Sequence, residues 1–271
     1  MKTLAVLAMA LVLVFSMAAV VMAEGNFYFD LGISGSSTNT MKLPNLDLGA
    51  IGTNPALLGA TDSKMSYDGT SGYLIGGEYN FGRYKVVAEY TGNTFKNTGV
   101  TGTKQPAAGG GSINLPGNSD LNFTANVTLI KGGYRFLDND RFKLDAVIGY
   151  LGLNVTGMSG NYTDANFSNG GPVVGLDGSY DVSEKFSISA SYGTTIGASS
   201  SMKAMDKMSP TSSESSLTAW RIKGLYMVNE KWGAYLSYSN LNSYLKYKFA
   251  IGEVTVDSVW SGWALGANYK F

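Results

Sequence analysis

SGWALGANYKF, residues 261–271, closes the chain on a strict alternation. Trp263, Leu265, Ala267, Tyr269 and Phe271 fall on one side. Gly262, Ala264, Gly266, Asn268 and Lys270 fall on the other. A period of two is that of a β-strand with two unlike faces. One face here is aromatic and apolar, the other small or polar. A soluble β-sandwich uses such strands at the edge of its core, so the rest of the chain has to decide what the apolar face meets.

Charged residues make up only 15% of the 271, well under the roughly 25% of an average soluble domain. Twenty basic residues balance twenty acidic ones, so no basic excess exists to neutralise phosphates and no nucleic-acid partner is expected. The chain has no His and no Cys. That excludes a Ser-His-Asp triad, a His or thiolate metal site, a thiol nucleophile and disulfides. Neither a cofactor nor a metal is expected.

Residues 1–23, MKTLAVLAMALVLVFSMAAVVMA, place Lys2 ahead of a long apolar run that closes on Val21-Met22-Ala23. This reads as a secretory signal peptide with the mature chain starting near Glu24, in preference to an uncleaved membrane anchor. No later apolar stretch approaches the ~18 residues a spanning helix needs. A closed barrel is the other structure that satisfies its own backbone in lipid.

Residues 24–271 repeat one grammar. Short polar turns are expected at Asn80–Arg83, Leu137–Arg141, Asp181–Lys185 and Val228–Lys231, where Asn, Asp, Gly and Ser hydrogen-bond their own backbone or accept positive φ. Long loops are expected at 37–69, 96–119, 158–169 and 200–216, with a shorter one near 249–256. Short and long connections alternate, as in a barrel with turns on the periplasmic side and loops outside. Four turns and five loops join about ten antiparallel strands. The count becomes eight or twelve if the irregular 121–136 or 249–256 region is misassigned. At 121–136 the apolar phase slips at Leu129-Ile130, which reads as a β-bulge.

The strands carry aromatics at their ends and smaller apolar residues between: Tyr73-Ile75-Gly77-Tyr79, Tyr84-Val86-Ala88-Tyr90, Trp232-Ala234-Leu236-Tyr238. That is an apolar band between two aromatic girdles. The opposite face holds Asp30, Glu78, Lys85, Glu89, Arg135, Lys143, Asp145, Asp177, Asp181, Arg221, Lys223 and Lys270. Ten of these, omitting the rim residues Asp181 and Lys270, are the candidates for lining or plugging a lumen. Inward Gly and Ser, among them Gly32, Gly76, Gly149, Gly175, Ser191, Gly262 and Gly266, are expected to leave room for water or a small solute.

With its terminal Phe271 and with Trp263, Leu265 and Tyr269 on the same face, the chain resembles the small bacterial outer-membrane β-barrels of the OmpA/OmpX/OmpW and omptin-like group. The resemblance implies an all-β, closed, up-and-down transmembrane barrel over residues 24–271, integral to the outer membrane of a Gram-negative-type bacterium. It implies contact with outer-membrane lipid and lipopolysaccharide. It also implies that Trp263, Leu265, Tyr269 and Phe271 form the signal read by the barrel-assembly machinery, in a strand that closes against the first.

Three roles follow. The first is a narrow porin-like pore for ions or small solutes, or a structural barrel, because about ten strands lie nearer the filled than the channel-forming end of barrel sizes. The second is an enzyme, using a pair such as Glu78 and Glu89 as acid and base. It is set aside because omptin and lipid A-modifying mechanisms rely on a His that this chain lacks. The third is adhesion or other partner binding through the loops. The apolar stretch 41–60 and the Met202, Met205, Met208 repeat in 199–216 are the segments to watch, while 97–119 with Gly109-Gly110-Gly111 reads as a flexible tip.

Overall fold

The protein is described by a computed structural model that covers residues 24–42, 60–104, 110–116, 122–157, 166–203, 212–249 and 252–271. The expected signal peptide lies outside these residues. So do Met205, Met208 and most of the 41–60 stretch.

Twelve strands form one antiparallel sheet: β1 (Glu24–Lys42), β2 (Ala60–Phe81), β3 (Tyr84–Lys104), β4 (Ser112–Pro116), β5 (Phe123–Asp138), β6 (Phe142–Thr156), β7 (Asn166–Asp181), β8 (Phe186–Thr195), β9 (Ser199–Lys203), β10 (Ser212–Met227), β11 (Trp232–Phe249) and β12 (Gly252–Lys270). Ten of them close an up-and-down barrel, in which β1 pairs with both β2 and β12. The two short strands lie outside this ring, β4 on β3 and β9 on β7. The closing seam runs from Asn26 opposite Lys270 to Lys42 opposite Thr255. Phe271 continues it, donating its N–H to the Gly25 carbonyl at 3.0 Å. The expected closure of the last strand on the first is therefore present.

All four short turns form where their residues place them. Gly82 has φ of 63° directly after Phe81, the positive value that the first central position of a type II′ hairpin turn requires. Asn139 Oδ1 accepts from the N–H groups of Arg141 and Phe142 (3.2 and 2.7 Å). Asn229 Oδ1 accepts from Lys231 and Trp232 (2.9 and 2.8 Å). Ser183 Oγ accepts from Phe186 at 3.1 Å. Each side chain satisfies backbone donors that the sheet leaves over at its end.

The other end departs from expectation. Much of the sequence assigned to long loops is strand: β1 continues to Lys42, β2 starts at Ala60 and β3 runs to Lys104. The expected loop near 249–256 shrinks to residues 250–251 between β11 and β12. A strand needs ~9–11 residues to cross a bilayer, and β2 has 22. The strands therefore project far beyond the apolar band. Their outward residues there are polar, because lipid no longer selects apolar ones. That is why these segments read as loops.

The irregular 121–136 region is also resolved differently. β5 is continuous through Leu129 and Ile130, and its irregularity lies between Arg135 and Leu137. Ile130 is exposed and Leu129 packs against the buried interior cluster. Both faces are apolar at that level, so the alternation of hydrophobicity vanishes although the alternation of direction persists.

The outward face carries two aromatic rings. Near the turns lie Phe81, Tyr84, Tyr134, Tyr180, Tyr226 and Trp232, and nearer the loops lie Tyr73, Tyr150, Tyr192 and Trp263, all exposed. Between them stand exposed aliphatics such as Ile148, Leu176, Ile222, Leu236 and Leu265. Neighbouring rings touch across strands, as in Tyr84–Tyr134 (5.4 Å between centroids) and Tyr238–Trp263 (5.0 Å). Facing water, this band would be costly. Facing lipid, it is the arrangement that a bilayer selects.

Candidate functional site: a two-layered lumen

The lumen is filled by two chemically different layers. The layer near the turns is ionic. Lys85 reaches Asp145 and Asp177, each at 2.7 Å. Lys131 pairs with Asp177 at 2.7 Å. Arg135 Nε donates to Asp145 at 3.0 Å, and its guanidinium reaches the rim acid Asp138 at 3.7 Å. β3, β5, β6 and β7 supply these groups from successive inward positions, so one side of the wall is a continuous chain of alternating charges.

Across the lumen, Arg221 of β10 holds Glu89 of β3 in a two-pronged pair, at 2.8 and 3.0 Å. Tyr28 donates its hydroxyl to the same carboxylate at 2.6 Å. This bridge joins strands on opposite sides of the ring and spans the axis. Tyr235 donates to Asp30 at 3.2 Å. Lys223 lies over the faces of Tyr28 and Tyr235, 5.1 and 5.3 Å from their centroids, an attraction to ring quadrupoles that strengthens away from water. Glu78 accepts from Asn80 at 2.9 Å.

Of the ten lumen candidates, Asp30, Lys85, Glu89, Arg135, Asp145, Asp177, Arg221 and Lys223 are brought together in this layer. Glu78 lies beside it and accepts from Asn80. No ion pair among the described residues joins Lys143 to it. Three members were not anticipated. Lys131 was hidden by the misread phase of β5, although it shares parity with Arg135. Tyr28 and Tyr235 point inward, whereas tyrosines were assigned to the girdles.

The inward glycines hold side chains in place of water. A Cβ at Gly76 would lie 2.5 Å from the Tyr28 ring and 3.0 Å from Glu89 Cγ. A Cβ at Gly266 would collide with the Tyr235 ring and Asp30, and one at Gly133 would meet the Lys85 stem at 2.8 Å. At Gly149 and Gly175 the nearest atoms are backbone of the neighbouring strand. Gly76, Gly133 and Gly266 thus make room for the ionic layer's own bulky members.

The second layer, towards the loops, is apolar, which the sequence reading did not foresee. Tyr67, Phe95, Val100, Phe123, Leu151, Leu153, Val155, Leu217, Leu241, Leu245, Tyr247 and Trp260 form one buried cluster. They come from seven strands around the ring, and Leu217 and Tyr247 have no exposed surface at all. Tyr67, Phe95 and Phe123 stack edge and face at 4.7 and 5.0 Å. Asn169 is drawn into the same region, donating to Ser243 Oγ at 2.9 Å and to the Ser216 carbonyl.

Between the layers lies a cavity of about 170 Å³. Asp30, Glu89 and Arg221 bound it on the ionic side. Leu129, Leu153, Leu241 and Trp260 bound it on the apolar side, and Ser191, Ser237 and Ser239 add hydroxyls to its wall. A pocket with an apolar body and a few convergent polar groups is the usual form of a small-molecule site.

The residues expected to carry an assembly signal lie on the outward face at the end of the chain. Trp263, Leu265 and Phe271 are exposed, and Tyr269 stacks on Trp232 at 4.8 Å. The Phe271 ring lies against Gly25, where any Cβ would overlap it.

No protein-family model matches the sequence, and no curated protein does. Solved structures do. The outer membrane protease OmpT from Escherichia coli superposes with a TM-score of 0.62 at 13% identity, over 93% of this chain and 99% of that one. OprG from Pseudomonas aeruginosa matches with a TM-score of 0.35 at 11% identity, over 91% and 96%. The toluene transporter TodX of Pseudomonas putida matches with 0.32 at 8%, over 93% and 90%. At these identities the likeness concerns the fold, and the first match carries it. Ten strands, closed up and down, with an apolar girdled exterior and a lumen of its own chemistry: the chain has the fold of an outer-membrane β-barrel protein.

Proposed function

We propose that the protein is exported and resides in the outer membrane as a non-enzymatic barrel. In this reading its axis is closed to steady ion flow and its lumen receives a small solute. Of the porin-like and structural readings, this keeps the small solute and gives up the open pore. The observation that carries it is the cavity that lies between two layers. The Glu89–Arg221 bridge and the Lys85–Asp177–Lys131 chain close one side, and the buried cluster around Leu217, Leu245 and Tyr247 closes the other. The ionic layer holds five cations (Lys85, Lys131, Arg135, Arg221, Lys223) against five carboxylates (Asp30, Glu78, Glu89, Asp145, Asp177). It is therefore near neutral and suits a plug better than a selectivity ring. The absence of His and Cys supports a non-enzymatic role. So does the engagement of Glu89 by Arg221 and Tyr28, which leaves it poorly placed to act as a base.

The lining favours a small uncharged molecule with an apolar body and one polar end. 4-Bromoacetophenone is a suitable probe, because a ketone and a heavy atom quench tryptophan. Trp260 lines the cavity. Trp220, Trp232 and Trp263 can be replaced by Phe so that Trp260 alone reports. Saturable quenching is expected, and it should be lost when Ala219, on the cavity wall, becomes Phe. Quenching that rises linearly and ignores Ala219→Phe would refute the reading.

The strand ends beyond the outer girdle favour a second role in partner binding. β1, β2, β3, β11 and β12 project there as a continuous sheet. Shortening the 43–59 and 204–211 segments should then abolish partner binding and leave the barrel folded.

A further inference from the structure

At the ionic end of the cavity, three serines stand around Arg221. In the barrel register, Ser191 of β8 and Ser239 of β11 are the residues paired with Arg221 of β10. Ser237, two residues before Ser239, shares their inward parity. All three line the cavity beside Arg221. None of their hydroxyls has a hydrogen-bond partner among the described residues. Ser237 is only 4% exposed, so its hydroxyl is withdrawn from bulk solvent without a protein partner in exchange. A buried hydroxyl left unpaired is costly, and native structures keep few of them. The occupant of the cavity is the partner within reach.

The chemistry of this end narrows what that occupant presents. A guanidinium carries five N–H groups. Arg221 spends two of them on Glu89, and its side chain keeps 24% exposure inside the lumen. The carboxylates beside it are engaged: Glu89 accepts from both prongs of Arg221 and from Tyr28, and Asp30 accepts from Tyr235. Unspent donors outnumber free acceptors, so a group that accepts is favoured over one that donates. Charge excludes a second class. Arg221 is already matched by Glu89, and Asp30 lines the same space. A further carboxylate would meet like charge at short range, away from bulk water. An uncharged carbonyl meets both conditions. Its oxygen has two lone pairs and a partial negative charge. Leu129, Leu153, Leu241 and Trp260 stand ready for the apolar body attached to it.

We propose that Ser191, Ser237 and Ser239, with the unspent N–H groups of Arg221, form a carbonyl-binding subsite, and that the solute is an apolar molecule bearing a ketone, ester or amide oxygen. The proposal rests on the reading of the cavity as a solute site, and it adds the solute's class and orientation. A hydrocarbon of the same shape leaves the hydroxyls unpaired. Discrimination is strong where a site is built to hydrogen-bond, because the analogue that lacks the group strands buried polar atoms.

The test compares two isosteres in the protein with Trp260 as its sole tryptophan, reconstituted in phosphatidylcholine vesicles. 4-Bromoacetophenone and 4-bromo-α-methylstyrene differ only in C=O against C=CH2, and the bromine quenches in both. With affinities referred to free aqueous concentration, the ketone is expected to bind at least roughly tenfold more tightly than the alkene. It should also bind more tightly than 4-bromobenzoate. Replacing Ser191, Ser237 and Ser239 together by Ala should bring the ketone down to the alkene's affinity. If that variant does not fold, Ser237→Ala alone, which removes the most buried hydroxyl, replaces it and should narrow the preference. Equal saturable binding of ketone and alkene would overturn the subsite and leave the cavity reading intact. So would tighter binding of the benzoate, or a preference that survives the serine replacements. Loss of the preference in Thr91→Val instead, on the β3 side of the cavity, would overturn it equally. Absence of saturable quenching by either isostere would overturn subsite and cavity reading together.

Discussion

Arg221→Met is expected to destabilise the folded barrel by about 3–5 kcal/mol, the usual cost of removing one member of a buried ion pair and leaving the other uncompensated. Glu89 is the residue left behind. Its carboxylate is held by both guanidinium prongs and by Tyr28, and its side chain is only 10% exposed. Met occupies a similar volume, so the loss measures the uncompensated charge and not a large cavity. The double variant Glu89→Leu, Arg221→Met should recover most of the loss, because a well-packed apolar pair often replaces a buried salt bridge at little cost. Urea midpoints of vesicle-reconstituted protein report both. A contrast sharpens the test: Asp145→Leu should cost less than Arg221→Met, since Lys85 keeps Asp177 and Arg135 keeps Asp138. Equal, small losses in all three would mean that the ionic layer is wet and open.

Removing Tyr269, Lys270 and Phe271 is expected to deplete most of the folded protein from the outer membrane. The loss has two sources. The seam loses the Phe27–Tyr269 and Asn26–Lys270 pairs and the reciprocal Gly25–Phe271 backbone bonds. The outward face loses the Tyr269 ring that stacks on Trp232. An unclosed seam leaves two bare strand edges in lipid, where each unsatisfied backbone group costs several kcal/mol. The heat-modifiable folded band in membrane fractions measures it. A truncated chain that assembles to parental levels would show that closure and assembly depend on residues elsewhere. Phe271→Ala separates the contributions. It keeps the backbone seam and removes the ring over Gly25, so a loss confined to cells, absent on refolding in detergent, would point to recognition during assembly.

The parts of this fold that lipid selects were legible in the sequence. Where an outward face meets hydrocarbon it must be apolar, and sets such as Trp232-Ala234-Leu236-Tyr238 announce direction and depth together. Turn residues were equally plain, because Asn139, Ser183 and Asn229 do locally what no strand residue does. Beyond the girdles the constraint is lifted. Asp62, Ser63, Lys64 and Ser66 lie in β2 yet read as loop, since both water and a partly polar interior accept them. The lumen was half legible for a related reason. Charges such as Lys85 and Asp145 declare an inward face, but an inward apolar residue is indistinguishable by type from an outward one. Leu151, Leu153 and Val155 continue the inward parity of Asp145 and were the available sign that the lumen turns apolar.

The central claim is that the axis is closed. Single-channel recording of refolded residues 24–271 in a planar bilayer tests it most directly. The account predicts a folded, inserted barrel that shows no steady openings, and brief current steps only when the Glu89–Arg221 bridge is removed. Steady, ion-selective openings of the unaltered protein would contradict it, and would make Asp30, Lys85, Glu89, Arg221 and Lys223 the lining of a conducting pore.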